Sequence, residues 1–359
     1  MKGYKAGWLR PVAAWHGKAA LFGVLLLNAC EFPTSPPILQ PRFVFPGAST
    51  TLTAAQLLPG SVTFVDGWLV VSLSGSARTW TLRELCGSAC VAANGLVVPK
   101  PAFVVTLTTE TGLPADVVSA QVRGGGITLR ITNNLNFDPL RPSATAQGSL
   151  AIQVRHAGEV IATRTYTEPL PPGSAADIGI PLQATGVTGA VEVVVTINSP
   201  AGDPVRIDTA GSITMSTPPP NTRLEMSEVV VHVENRVIQS AQTRLDLTDI
   251  DATTRDHVVE GALRLEVENP FAATGLFVLD IRPEDGAPIQ KTLIPIQAGA
   301  STQLIPLTGE ELRQMLGRNV TLSMRGVVNQ TSQAGVTVRP NDVLRLRADL
   351  DVTFTTDTN

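Results

Sequence analysis

The sequence predicts an all-β protein, a pair of tandem antiparallel sandwiches or barrels, from three observations. The composition is aliphatic and turn-rich, with 43% hydrophobic residues, 30 glycines, 27 prolines and only 16% charged residues. Segments such as "LRLEVE", "VEVVVTI", "VTLSMRG" and "LRLRADLDVTF" alternate apolar and polar residues with period two, and turn signals such as "RPEDGAP", "SPAGDP" and "RPND" separate them. The chain also repeats itself at domain scale. Aromatics make up 4%, so aliphatic side chains must fill the cores, and little is left for a base-stacking or sugar-binding platform.

Residues 1–29 read as an export signal. Lys2, Lys5, Arg10 and Lys18 come without an acid and precede the apolar run "AALFGVLLL" (19–27). That run is shorter than the ~20 residues needed to cross a bilayer. Leu27-Asn28-Ala29-Cys30 resembles the lipobox of bacterial lipoproteins. The resemblance implies cleavage before Cys30 and acylation of its sulfur and new amino group, with palmitate-type chains. Glu31 in the next position implies the outer membrane, with the protein facing the periplasm or the cell surface. A lipid anchor of several chains holds stably, since each buried methylene contributes about 0.8 kcal/mol. Residues 30–58 open with "EFPTSPPILQPRF" and read as a proline-rich tether. Cleavage removes 4 of 27 basic residues, leaving 23 against 31 acids, so the net charge moves from −4 to −8. Such a balance speaks against a nucleic-acid partner.

The repeat sets the domain plan. "GGITLRITNNLNF" (125–137) matches "GALRLEVENPFAA" (261–273), with Ile127, Leu129 and Ile131 against Leu263, Leu265 and Val267, and Asn133 against Asn269. "ADIGIPL" (176–182) matches "STQLIPL" (301–307), and "VRIDTAGSITMST" (205–217) matches "LRLRADLDVTFTT" (344–356). A first domain is expected over 59–217 and a second over 223–357. Between them, 218–222 is a stiff proline linker. One helix is expected at "TGEELRQMLG" (308–317), capped by Thr308 with Glu311 completing a capping box. "TLREL" (81–85) is a shorter candidate. Cys86 and Cys90, in "CGSAC", are expected to form a local disulfide in an exported protein.

"LRLEVENPF", followed by "GLFVLDIRPEDGAPIQKTLIPIQAGASTQLIPLTGEELRQML", resembles the LEA14/WHy family, the water stress and hypersensitive response domain. Asn269-Pro270 is the matching dipeptide, and Asn133-Asn134 stands in its place in the first copy. The resemblance implies immunoglobulin-like or fibronectin III-like sandwiches, with Asn133, Asn269 and Pro270 as structural turn residues. It implies no catalytic residues and a protective or adaptor-like role.

Little in the chain points to catalysis. His156, His232 and His257 share no local motif with a cysteine, serine or acid at metal or triad spacing. "DLTDIDATTRD" gathers acids, with Asp249, Asp251 and Asp256 a weak Ca²⁺ candidate, but it lacks the glycine and final glutamate of an EF-hand loop. No metal or other cofactor is expected. The expected function is therefore a non-enzymatic, lipid-anchored envelope protein that binds through its sandwich surfaces. Its partners would be the membrane and another envelope protein. The alternative is a lipid-binding or transfer protein with an apolar groove.

Overall fold

The computed structural model describes residues 40–217 and 223–355. The signal segment 1–29, Cys30, the start of the tether and the linker 218–222 lie outside the described residues. The fold is all-β, with antiparallel ladders and a few short helices.

The first unit packs two sheets. One sets Ser76–Thr81, Ser212–Thr217, the second half of the long strand Val117–Asn134, and Ala175–Pro181 side by side. The other runs Phe103–Gly112, Ala190–Ser199, Ser149–His156, Glu159–Tyr166. Period-two alternation sends Ile127, Leu129 and Ile131 inward, each 0% exposed, into one core with Leu107, Ile152, Val195 and Ile197.

The second unit repeats this plan. Its first sheet is Arg42–Thr53, Val343–Phe354, Val258–Asn269, Gly299–Leu307. Its second is Arg236–Gln239 and Thr243–Asp246 along Asn319–Gln330, then Ala273–Pro283 and Ile289–Ile296. Register repeats with topology. Ile127 faces Ile180 as Leu263 faces Ile305, and Ile131 faces Ala176 as Val267 faces Ser301. The third sequence match joins the right strands but is eight residues out of register. Ile213 pairs with Asn133, and the residue beside Asn269 is Leu344, one step from the Glu268–Arg345 pair, rather than Val352. A period-two pattern looks the same after any even slip, so alternation alone could not fix this register.

The expected domain boundaries do not match the pairing. Residues 42–53, read as part of the tether, form an edge strand of the second unit. Pro46 and Gly47 sit in a bulge between Phe45 and Ala48, which hid the alternation. A side chain at Gly47 would collide with the Ala348 carbonyl, so only glycine fits there. Beyond the linker, Arg223–Val231 does not start the second unit. It pairs with the first half of Val117–Asn134 and with Trp68–Ser72, in a bridging sheet that also holds Val62–Val65. The first unit, 76–217, is thus nested inside the second, which is made of 42–53 and 236–354. One hydrophobic cluster runs through both units and the bridging sheet.

Helices fill turns between strands. Gly309–Met315 has Thr308 at its N-cap and a capping box closed by Glu311. Leu82–Cys86 has the same arrangement with Thr81 and Glu84.

Candidate functional site

The ladders place the two ends of the molecule apart. The chain enters at Arg42, paired with Thr353, beside the helices Ala252–Asp256 and Gly309–Met315. The opposite end of the second unit meets the bridging sheet, where Arg236 donates to the Gln56 and Leu58 carbonyls and Thr331 N–H to Ala272. The first unit continues beyond, and its loops at the Asn133 end form the far tip.

That tip is where sequence-predicted residues gather. Cys86 and Cys90 are bonded to each other, joining the short helices Leu82–Cys86 and Ser88–Ala92. From Cys86 to Ala102 the only charged residue is Lys100, and it is 1% exposed. Val91, Leu96 and Val97 are 44%, 56% and 69% exposed, so this loop presents a partly apolar surface, flanked by exposed Arg83, Glu84, Asp203, Arg206 and Asp208, with Arg206 the register partner of Val97. Gly95 donates to Ile207 and Ile207 to Leu96, which pins this loop to the neighbouring one.

Lys100 is a site residue that the sequence reading missed. Its ammonium donates to Ser199 Oγ at 2.6 Å and to the Pro200 carbonyl at 2.5 Å. It lies 4.7 Å from the Phe103 ring centre and 5.5 Å from that of Phe137. Burial draws it down to about 8. A lysine inside the apolar run "GLVVPKPAFVV" was the available signal. The Ser199–Lys100 contact has the parts of a nucleophile–base pair. Ser199 is 0% exposed, however, and gives its hydroxyl proton to the Pro139 carbonyl at 2.6 Å, so the pair is closed to a substrate. The contact instead ties three loops under the tip.

Asn133 and Asn269 carry the same bonding. Asn133 Nδ2 donates to the Phe137 and Leu170 carbonyls at 2.9 and 2.7 Å, and its Oδ1 accepts from Leu135 N–H at 2.9 Å. Asn269 Nδ2 donates to Ala273 and Gln297 at 2.9 and 3.0 Å, and its Oδ1 accepts from Phe271 N–H at 3.0 Å. Each asparagine closes its own turn and holds the next hairpin. Pro270 occupies the first step of the second turn, where no N–H is required.

The acidic loop is not assembled into a cation site. Asp251 caps Ala252–Asp256, accepting from Thr254 N–H and Oγ1 at 2.9 and 3.0 Å, and these bonds hold it below the usual carboxylate range. Asp256 lies 3.8 Å from Arg255. Among the described residues no group of three or more histidine, cysteine, aspartate or glutamate side chains could hold a metal. His156 Nε2 lies 2.9 Å from the Thr188 carbonyl and His257 Nδ1 2.7 Å from that of Thr253, both bonded to backbone rather than to an acid.

Two small pockets lie between the sheets of the second unit, of about 10 and 20 Å³. Each is about the room of a single water. A wider hollow of about 750 Å³ lies open on the outer face, lined by Leu276, Pro295, Gln297, Val327 and Asn329 among others. Leu276 and Val327 are register partners there, 55% and 38% exposed.

No family model matches the chain, and no curated protein matches it. Among solved structures, it is similar to a candidate secreted protein of Parabacteroides distasonis ATCC 8503, 13% identical, over 87% of this chain and 99% of that one, with a TM-score of 0.32. Infectious bursal disease virus, Gx strain, gives 9% identity over 90% of this chain and 74% of that one, at 0.20. The tandem CBM22-1-CBM22-2 domain of Paenibacillus barcinonensis Xyn10C gives 9% over 88% and 99%, at 0.17. Likeness at this level carries no functional argument, and the fold assignment rests on the strand pairing described above.

Proposed function

We propose that the protein is a non-enzymatic lipoprotein of a bacterial outer membrane, held by acyl chains on Cys30 and offering its far tip to another envelope component. One observation carries the reading. The first described strand, Arg42–Thr53, belongs to the second unit, so the chain enters the described fold at the end away from the partly apolar tip, which supports an anchor at one end and a binding surface at the other. The strand Val117–Asn134 alone spans 18 residues, about 60 Å at the usual rise per residue, and runs from the bridging sheet towards the tip. The pockets between the sheets hold about one water each, and the 750 Å³ hollow beside Leu276 and Val327 lies open to solvent rather than forming a covered groove, which weighs against the alternative of lipid carriage. The LEA14/WHy resemblance enters here as a proposal for an adaptor-like role.

The test joins two measurements in intact cells. Metabolic acyl labelling should mark the wild type and not the Cys30→Ser variant, and the variant should leave the membrane fraction. A photo-crosslinker at position 97 should capture an envelope protein that one at position 327 does not. An unlabelled wild type refutes the anchor, and equal capture at both positions refutes the tip.

A further inference from the structure

The chain enters the fold at an apolar corner. Phe43 and Val44 are 50% and 56% exposed on an edge strand, and the Phe43 ring meets Phe354 edge-on at 5.7 Å. Val258 pairs with Phe354, and Val259 beside it is 43% exposed in a bulge of that ladder. An open apolar edge is a liability for a protein surrounded by water. Between Cys30 and Arg42 there are 11 residues, which reach about 40 Å at most when fully extended. The corner is therefore the part of the described fold that the tether keeps nearest to an acylated Cys30.

We propose that the open edge at Phe43, with Val44 on the other face of the same strand, forms a second membrane contact, seated at the headgroup boundary of the same leaflet that holds the anchor. The inference rests on the lipoprotein reading. Apolar side chains at such a boundary leave water without crossing the bilayer. The charges at this end are of both signs, Asp249, Asp251, Asp256 and Glu260 with Arg42, Arg255 and Arg313, so the contact is carried by the apolar side chains.

The test uses the full, natively acylated protein carrying Phe43→Trp, reconstituted in vesicles of phosphatidylcholine with brominated acyl chains. Val237→Trp is the control, since Val237 is 73% exposed in the second sheet of the second unit, away from the entry corner. The emission added by the indole at position 43 should be largely quenched, and that added at position 237 should not. Flotation and acyl labelling of the same samples report the anchor independently. Floating, acylated protein with no quenching at position 43, or with equal quenching at both positions, overturns the second contact and leaves the anchor standing. Protein without acyl label removes the anchor, and the contact with it.

Discussion

Replacing Asn269 with alanine should cost the protein a large share of its stability. The side chain is 5% exposed and makes three hydrogen bonds, donating to Ala273 and Gln297 and accepting from Phe271. Alanine removes the partner of the buried Ala273 carbonyl and of the Phe271 N–H, and of the Gln297 carbonyl at the surface. At about 1 kcal/mol for each of the two buried bonds, with a further penalty for those two groups stranded away from water and little for the surface bond, the loss comes to about 3 kcal/mol. Asn133→Ala should cost a similar amount, because Asn133 is 0% exposed and bonds to the corresponding groups. Asn269→Asp separates the parts: it keeps the acceptor for Phe271 but turns a carboxylate towards two carbonyls, and should be destabilised as well. Urea unfolding followed by circular dichroism reads the change as a shift in midpoint at constant slope. A loss below about 0.5 kcal/mol for Asn269→Ala, or a tolerated aspartate, would refute the argument that these amides hold the turns.

Two further predictions concern the tip. Cys86→Ser with Cys90→Ser opens a loop with a sequence separation of 4, and the loop-entropy relation gives a loss of about 2 kcal/mol, measurable by the same unfolding curve. Lys100 should make stability depend on pH. Its folded value lies near 8, while an unfolded lysine keeps its proton to about 10.4. Between those values the unfolded chain binds more protons, so stability should rise with pH across that window and stay level just below it. Lys100→Met should flatten the rise, and an unchanged slope would show that another group causes it.

Local pattern made the strands legible, and the sequence left most non-local choices open. Ile127, Leu129 and Ile131, and their counterparts Leu263, Leu265 and Val267, are buried as alternation requires. Thr308 and Glu311 cap their helix because both partners of that contact lie within one turn. The nesting was hidden for the opposite reason: the partner of Arg42–Thr53 lies some three hundred residues on, and Pro46 broke its pattern. A signal was nonetheless present. "TLTAAQL" (51–57) parallels "TWTLREL" (79–85), and the structure gives both the same place. Leu52 pairs with Leu344 as Trp80 pairs with Ile213, and Ala54 N–H donates to Asp342 as Leu82 N–H donates to Gly211. Lys100 escaped notice because its burial depends on Ser199, Pro200, Phe103 and Phe137, which the fold brings together from separate strands and loops.

Hydrogen exchange of the peptide 42–53 in the native protein tests the nested duplication most directly. If this segment is the first strand of the second unit, its backbone amides that bond to Val343–Phe354 should be protected to the same degree as those of the 343–354 and 258–269 peptides. Exchange of the whole segment at the rate of an open chain would return it to the tether and leave the second unit without its edge strand.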